Sequence, residues 1–189
     1  MTKGDFMANL DTIKKLYKDY PEMPYINPDR DFDTFMDKLD VQKEHLVPKR
    51  NMERTEEGLL PGHIILLWRL DLGTFSTESA IPRYFEYIYG IHALDALDNF
   101  IEEGLAYQMS AKETLYLVNA GTLKKILKNA GLSGYSSMKK DELVKYVQDQ
   151  ISEEDLAPQM PMIAYQTTER GHELVEKYDD IIQRHGPKG

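Results

Sequence analysis

Gly131-Leu132-Ser133-Gly134-Tyr135-Ser136-Ser137-Met138-Lys139-Lys140-Asp141-Glu142-Leu143 joins two short amphipathic segments through a polar turn that carries two glycines. Before the turn, Leu123, Ile126, Leu127 and Ala130 recur at helical spacing and lay one apolar stripe along a helix, while Lys124, Lys125 and Lys128 point elsewhere. After it, Leu143, Val144 and Val147, extended by Tyr146 and Ile151, form a second stripe, leaving Lys139, Lys140 and Lys145 for solvent or a partner. Thr122 and Ser137 are the expected N-caps, because a hydroxyl there accepts from an orphaned backbone N–H. Leu132, Met138 and Leu143 are expected to pack the small core between the helices, with Tyr135 covering it.

Through Gly134-Tyr135-Ser136 and Met138-Lys139-Lys140-Asp141-Glu142-Leu143 the stretch resembles the N-terminal domain of the Rho transcription terminator and, less closely, the SAP motif, which shares that fold. The resemblance implies contact with DNA or RNA, for which Lys124, Lys125, Lys128, Lys139, Lys140 and Lys145 are the candidates. Between Tyr116 and Gln148 these lysines meet only Asp141 and Glu142, so the segment is basic inside a chain of net charge −9. The overall charge repels a phosphate backbone, and a local basic cluster has to override it. A solvated helical face is the plainer reading of the same lysines.

The 189 residues hold one good domain and a small one, since domains commonly run to about 100–150 residues. Hydrophobic content of 41% with 10% aromatics is enough for a packed core, which argues against a disordered chain. The absence of cysteine excludes disulfides, thiolate catalysis and cysteine-based zinc sites, and fits a reducing, cytoplasmic setting. No long apolar region stands behind Met1-Thr2-Lys3-Gly4-Asp5, so no secretory signal is expected, and the longest apolar run, Ile64 to Trp68, is far short of the ~20 residues that span a bilayer. No membrane association is expected.

Upstream, Phe6, Leu10, Ile13, Leu16 and Tyr17 share one stripe of a helix expected over residues 5–20. Pro21, Pro24 and Pro28 then predict an extended linker to Asp31, followed by a short helix over Asp33 to Leu39. From Leu59 to Leu70 apolar residues occupy nearly every side, which predicts a helix buried from several directions. A second core helix is expected over Ser79 to Tyr89, with Ile81, Phe85 and Ile88 inward and Pro82 in its first turn. A third, Ile91 to Glu103, places Ile91, Leu94, Leu97 and Ile101 at spacings of three and four.

Helix, turn, helix, glycine, helix is the order of a helix-turn-helix core. Glu102-Glu103-Gly104-Leu105-Ala106-Tyr107 resembles the exit into the first wing strand of the MarR and PadR regulator families. Ile163 to Val175, containing Thr168-Glu169-Arg170-Gly171, resembles their second wing strand and closing helix. The expected fold is therefore mainly α with a small β-wing: a winged helix-turn-helix core with a helix-extension-helix insertion in the wing and an N-terminal helical arm. The expected boundaries are 1–58 for the arm and linker, 59–109 with 162–185 for the discontinuous winged core, 110–152 for the inserted module and 153–161 for a linker. Ser110 and Glu113 form an expected capping box at the module's entrance. Phage and mobile-element proteins of Gram-positive bacteria show this arrangement, and the resemblance implies such an origin.

No glycine-rich phosphate loop is present, and His45, His63, His92, His172 and His185 lack a paired metal-ligand spacing. No catalytic residue, metal or cofactor is expected. In groove-reading winged helices the third helix offers Arg, Lys, Asn or Gln to the DNA, whereas Ile91 to Glu103 carries Asp95, Asp98, Glu102 and Glu103 and no basic residue. Two expectations of different class follow. One is a non-enzymatic nucleic-acid-associated regulatory or processing protein that contacts DNA or RNA through the basic insertion. The other is a protein-interaction factor, such as an inhibitor, assembly factor or adaptor, whose acidic surface meets a basic partner through Tyr84, Tyr87, Asp95, Asp98 and Glu102. Exposure of Tyr84 and Tyr87 would also serve a homodimer, since tyrosine is enriched at interfaces.

Overall fold

Leu60 is extended and hands the chain to Pro61, whose fixed φ suits the first helical position, so the apolar helix that follows is firmly started. The computed structural model describes residues 3–41 and 46–186. His45 and the side chains of Phe6 and Leu39 lie outside that description. In chain order the α-helices are α1 (Lys3–Leu16), α2 (Phe32–Val41), α3 (Pro61–Asp71), α4 (Tyr84–Tyr87), α5 (Ala93–Glu102), α6 (Ala111–Thr114), α7 (Ala120–Asn129), α8 (Lys140–Gln150), α9 (Glu153–Leu156), α10 (Glu169–Lys177) and α11 (Asp179–His185). Two strands, β1 (Ala106–Gln108) and β2 (Tyr165–Thr167), complete a mainly helical fold.

β1 and β2 pair antiparallel with Ala106 opposite Thr167 and Gln108 opposite Tyr165. Ser76 adds an isolated bridge to Ala164. The two segments expected as wing strands therefore meet, although residues 109–164 separate them in sequence.

α3 is the centre of the main core. Ile64, Ile65, Leu66, Leu67 and Leu70 are all at 0% exposure, which matches its all-round apolar pattern. Around it pack Phe85, Ala96, Leu97, Phe100, Leu105, Leu174, Val175, Ile181 and Ile182. The N-terminal region belongs to the same core rather than standing apart as an arm: Ile13, Tyr17, Ile26, Phe32, Phe35 and Val47 are buried in it. Residues 23–27 are neither helix nor strand and 28–30 turn, with Arg30 N donating to Asn27 O at 3.0 Å; this strap is docked, with Tyr25 N donating to Gly90 O at 2.7 Å. Gly90 has φ +62, and a Cβ there would lie 2.5 Å from Pro24 Cβ, so the site needs glycine for both backbone and space.

Two helix readings are corrected. α4 is a single turn, not a helix from Ser79 to Tyr89; Ile81 and Ile88 are 38% and 46% exposed, and only Phe85 of the expected triad is buried. α5 turns a different face inward: Ala93, Ala96, Leu97 and Phe100 are buried while Leu94 is 50% and Ile101 38% exposed. Two alanines sit where the core is close, and the larger aliphatics fall on the shoulder.

His63, in the first turn of α3, accepts from Leu60 N through Nδ1 at 3.2 Å and packs edge-on against Phe100. Burial, with Arg54 nearby as a smaller cause, lowers its pKa from 6.5 to about 4. The folded form resists a proton that the unfolded chain accepts, so this contribution is complete above pH 6.5 and is lost as the pH falls towards 4. Between pH 7 and pH 4 His63 alone should remove on the order of 2–3 kcal/mol, read from urea midpoints at three pH values. His63→Asn, whose amide oxygen can take over the Leu60 hydrogen bond, should lack that share of the slope; an identical slope in the variant would refute the assignment.

Candidate nucleic-acid interface

A second apolar cluster, distinct from the main core, is built by Ala111, Leu115, Val118, Leu123, Ile126, Leu127, Leu143, Val147, Ile151 and Leu156. Leu132, Tyr135 and Met138 pack against it, as their place in the turn leads one to expect. Locally, α7 is capped by Asn119, whose Oδ1 accepts from Thr122 N at 2.9 Å; Thr122 is thus inside the helix and not its cap. Gly131, at φ +71, closes α7, and Leu132 N reaches back to Leu127 O at 3.0 Å. α8 starts at Lys140 rather than behind a Ser137 cap, and Glu142 accepts from Lys139 N at 2.7 Å. The capping box of Ser110 and Glu113 forms as expected.

Residues 153–155, expected in a linker, open α9, and Leu156 is fully buried in the second cluster. Glu153 accepts from the backbone N–H groups of Ala111 and Lys112 at the N-terminus of α6, so the module's two ends are tied together. The module rests on the main core through the Tyr116 hydroxyl, which donates to Gly73 O, and through Met109 N to Ala164 O at 2.9 Å.

The six candidate lysines do not act alike. Lys124 Nζ donates to Ser136 O at 2.9 Å and Lys140 Nζ to Tyr116 O at 2.7 Å, so both fasten the module's own loops. Lys125, Lys128, Lys139 and Lys145 are exposed. On α7, Lys125 and Lys128 lie away from the buried Leu123, Ile126 and Leu127; on α8, Lys145 lies opposite Leu143 and Val147. Sequence reading missed the carboxylates that α6 and α9 bring to the module. Over residues 110–161, Lys112 and the six lysines are matched in number by Glu113, Asp141, Glu142, Asp149, Glu153, Glu154 and Asp155. The basic character is local to α7, the turn and the start of α8.

On the main core, Asp95, Asp98 and Glu102 are all exposed along α5. His92 begins that helix, with Nδ1 3.3 Å from Asp95 N and 2.8 Å from Asp95 Oδ1. Tyr87 is 42% exposed, with the Arg30 guanidinium 4.2 Å from its ring centre. Tyr84 does not reach the surface as an interface residue. It is half-buried against Phe85, Tyr89 and His185, and its enclosed hydroxyl feels Arg69 without a well-formed hydrogen bond. Burial raises its pKa.

The strap supplies what no motif announced. Arg30 Nε donates to Glu86 Oε1 at 2.8 Å, and Asn27 N donates to the same oxygen at 2.9 Å. The side chains of Arg30 and Glu86 are 6% and 17% exposed. Tyr25 stacks on His92 with ring centres 4.8 Å apart, directly ahead of α5. The three prolines were the only sequence signal, and they mark conformation rather than docking.

Among the described residues no group of three or more His, Asp or Glu is placed to hold a metal ion. Nor is any described helix long and apolar enough to cross a membrane. No protein-family model, curated protein or solved structure matches this chain.

Proposed function

We propose that the chain is a non-enzymatic, nucleic-acid-associated regulatory or processing protein that contacts DNA or RNA through the α7–α8 module, inserted in the wing of a winged helix. What carries this reading is the exposure of Lys125, Lys128, Lys139 and Lys145 on a module with its own apolar cluster. The order α3, the Ser76 bridge, α4, α5, β1, β2 and α10 supports the winged-helix reading. α5 is assigned no role in reading bases. Its carboxylates would meet phosphates of like charge, and the strap stands against its leading end.

Fluorescence anisotropy with labelled double-stranded DNA, single-stranded DNA and RNA at 50 and 200 mM KCl tests the proposal. Four lysine–phosphate contacts release about four counterions, so affinity should fall roughly a hundredfold across that range. The quadruple Lys→Glu variant at residues 125, 128, 139 and 145 should lose binding at low salt while keeping its circular dichroism spectrum. Undetectable binding by the wild type at 50 mM KCl would remove the proposal.

A further inference from the structure

Beside the first turn of α5 lies an open cavity of about 440 Å³, whose lining includes Ile81, Pro82, Tyr87, Leu94, Asp29 and Asp31. Its apolar side is unusual for a surface, because Ile81, Tyr87 and Leu94 are each more than a third exposed. Ile101 continues the apolar shoulder two turns along α5, since positions seven apart return to nearly the same side of a helix. Leu94 and Ile101 therefore stand roughly 10 Å apart along one edge, with Asp98 between them and Asp95 and Glu102 on the outer crest.

The surface is acidic on balance. In the cavity lining Arg30 is paired with Glu86, and Asp31 accepts from Thr34 N and Oγ1, which leaves Arg83 and Asp29; α5 beside it adds Asp95, Asp98 and Glu102, all exposed, and no basic residue. We propose that this groove is the docking site for a basic amphipathic helix of a partner protein, its aliphatic side chains seated on Ile81, Leu94 and Ile101 and its Lys or Arg residues on the aspartates. Charge complementarity selects the occupant: a polyanion or an acidic helix is repelled by the exposed carboxylates of α5, and a neutral apolar helix gains nothing from them. α7 of a second copy does not supply the helix, because its apolar positions Leu123, Ile126 and Leu127 are already buried. The groove mode resembles other helix-in-groove recognition, where aliphatic anchors repeat at i, i+3 or i+4, and i+7. The proposal does not depend on the lysines of the module.

The probe is a fluorescein-labelled synthetic helical peptide with leucines at i, i+4 and i+7 flanked by lysines, compared with a scrambled peptide of equal composition and a Lys→Glu version. Wild-type protein should bind the first at least about tenfold more tightly than the other two, with amide chemical-shift changes confined to residues 81–102 and the strap. Leu94→Ser with Ile101→Ser should weaken it about tenfold, and because both residues are exposed the fold should be retained. Asp95→Lys with Asp98→Lys should reverse the preference in favour of the Lys→Glu peptide. Equal affinity for the scrambled peptide or shift changes centred elsewhere would each overturn the assignment.

Discussion

Glu86→Ala should lower stability by about 3–5 kcal/mol, because it leaves the Arg30 guanidinium, with a side chain only 6% exposed, inside the protein without its countercharge. The carboxylate is also the acceptor for Asn27 N, so the strap loses a backbone anchor together with an ion pair. In a protein of this size the thermal midpoint should fall by about 10 °C or more. Removing both charges is a different matter. Arg30→Met with Glu86→Leu no longer pays desolvation for either group, so the double variant should recover most of the loss. Melting curves of the single and double variants decide the point: a single variant within about 1 kcal/mol of wild type would show that water reaches the pair and that the strap is not sealed.

Gly171→Ala should be comparably severe, at about 3 kcal/mol, against the expectation from helix propensity alone, which favours alanine by about 1 kcal/mol. A Cβ at Gly171 would stand 2.0 Å from Leu105 O and 3.1 Å from Leu105 C. The obstacle is backbone and cannot rotate away. That carbonyl also accepts from Thr168 N at 3.0 Å, and the Thr168 hydroxyl donates to Gly104 O at 2.8 Å. Making room for a methyl group therefore requires α10 to withdraw from the chain entering β1 and to break the contacts that start it. Urea denaturation followed at 222 nm checks this, and a variant as stable as wild type would mean that α10 does not sit this close to Leu105.

That glycine shows what the sequence could and could not convey. The pattern Thr168-Glu169-Arg170-Gly171 was visible in the sequence, and the structure adds that Thr168 caps α10 by accepting from Gly171 N. The close approach behind the glycine was not visible, because it depends on Leu105, far away in the chain. α3, α7 and α8 were legible because each has a strong local period, whereas the pairing of residues 106–108 with 165–167 was expected only from a resemblance to known wings. α5 was misread because alanine carries little hydrophobic weight, so Ala93 and Ala96 were passed over for Leu94 and Ile101. The lysines at 124 and 140 were taken for surface charge because their acceptors are backbone carbonyls, which leave no mark in a sequence. Carboxylates near the module were underestimated for a similar reason: α9 looked like a linker until Leu156 was seen to be buried.

The side-by-side exit of both ends of the module from β1 and β2 bears on how the chain reaches its native state. Closing a loop costs entropy that rises with its length, and the two-stranded sheet must close over residues 109–164. Within the module α7 meets α8 across a short turn, and α6 then meets α9 although 42 residues separate Ala111 from Glu153. Once those have formed, the intervening chain is no longer a flexible loop but a folded bead whose two ends are held together by Glu153 at the start of α6. The sheet then has only a short gap to bridge, so the folded module shortens the effective contact order of the two strands on either side of it.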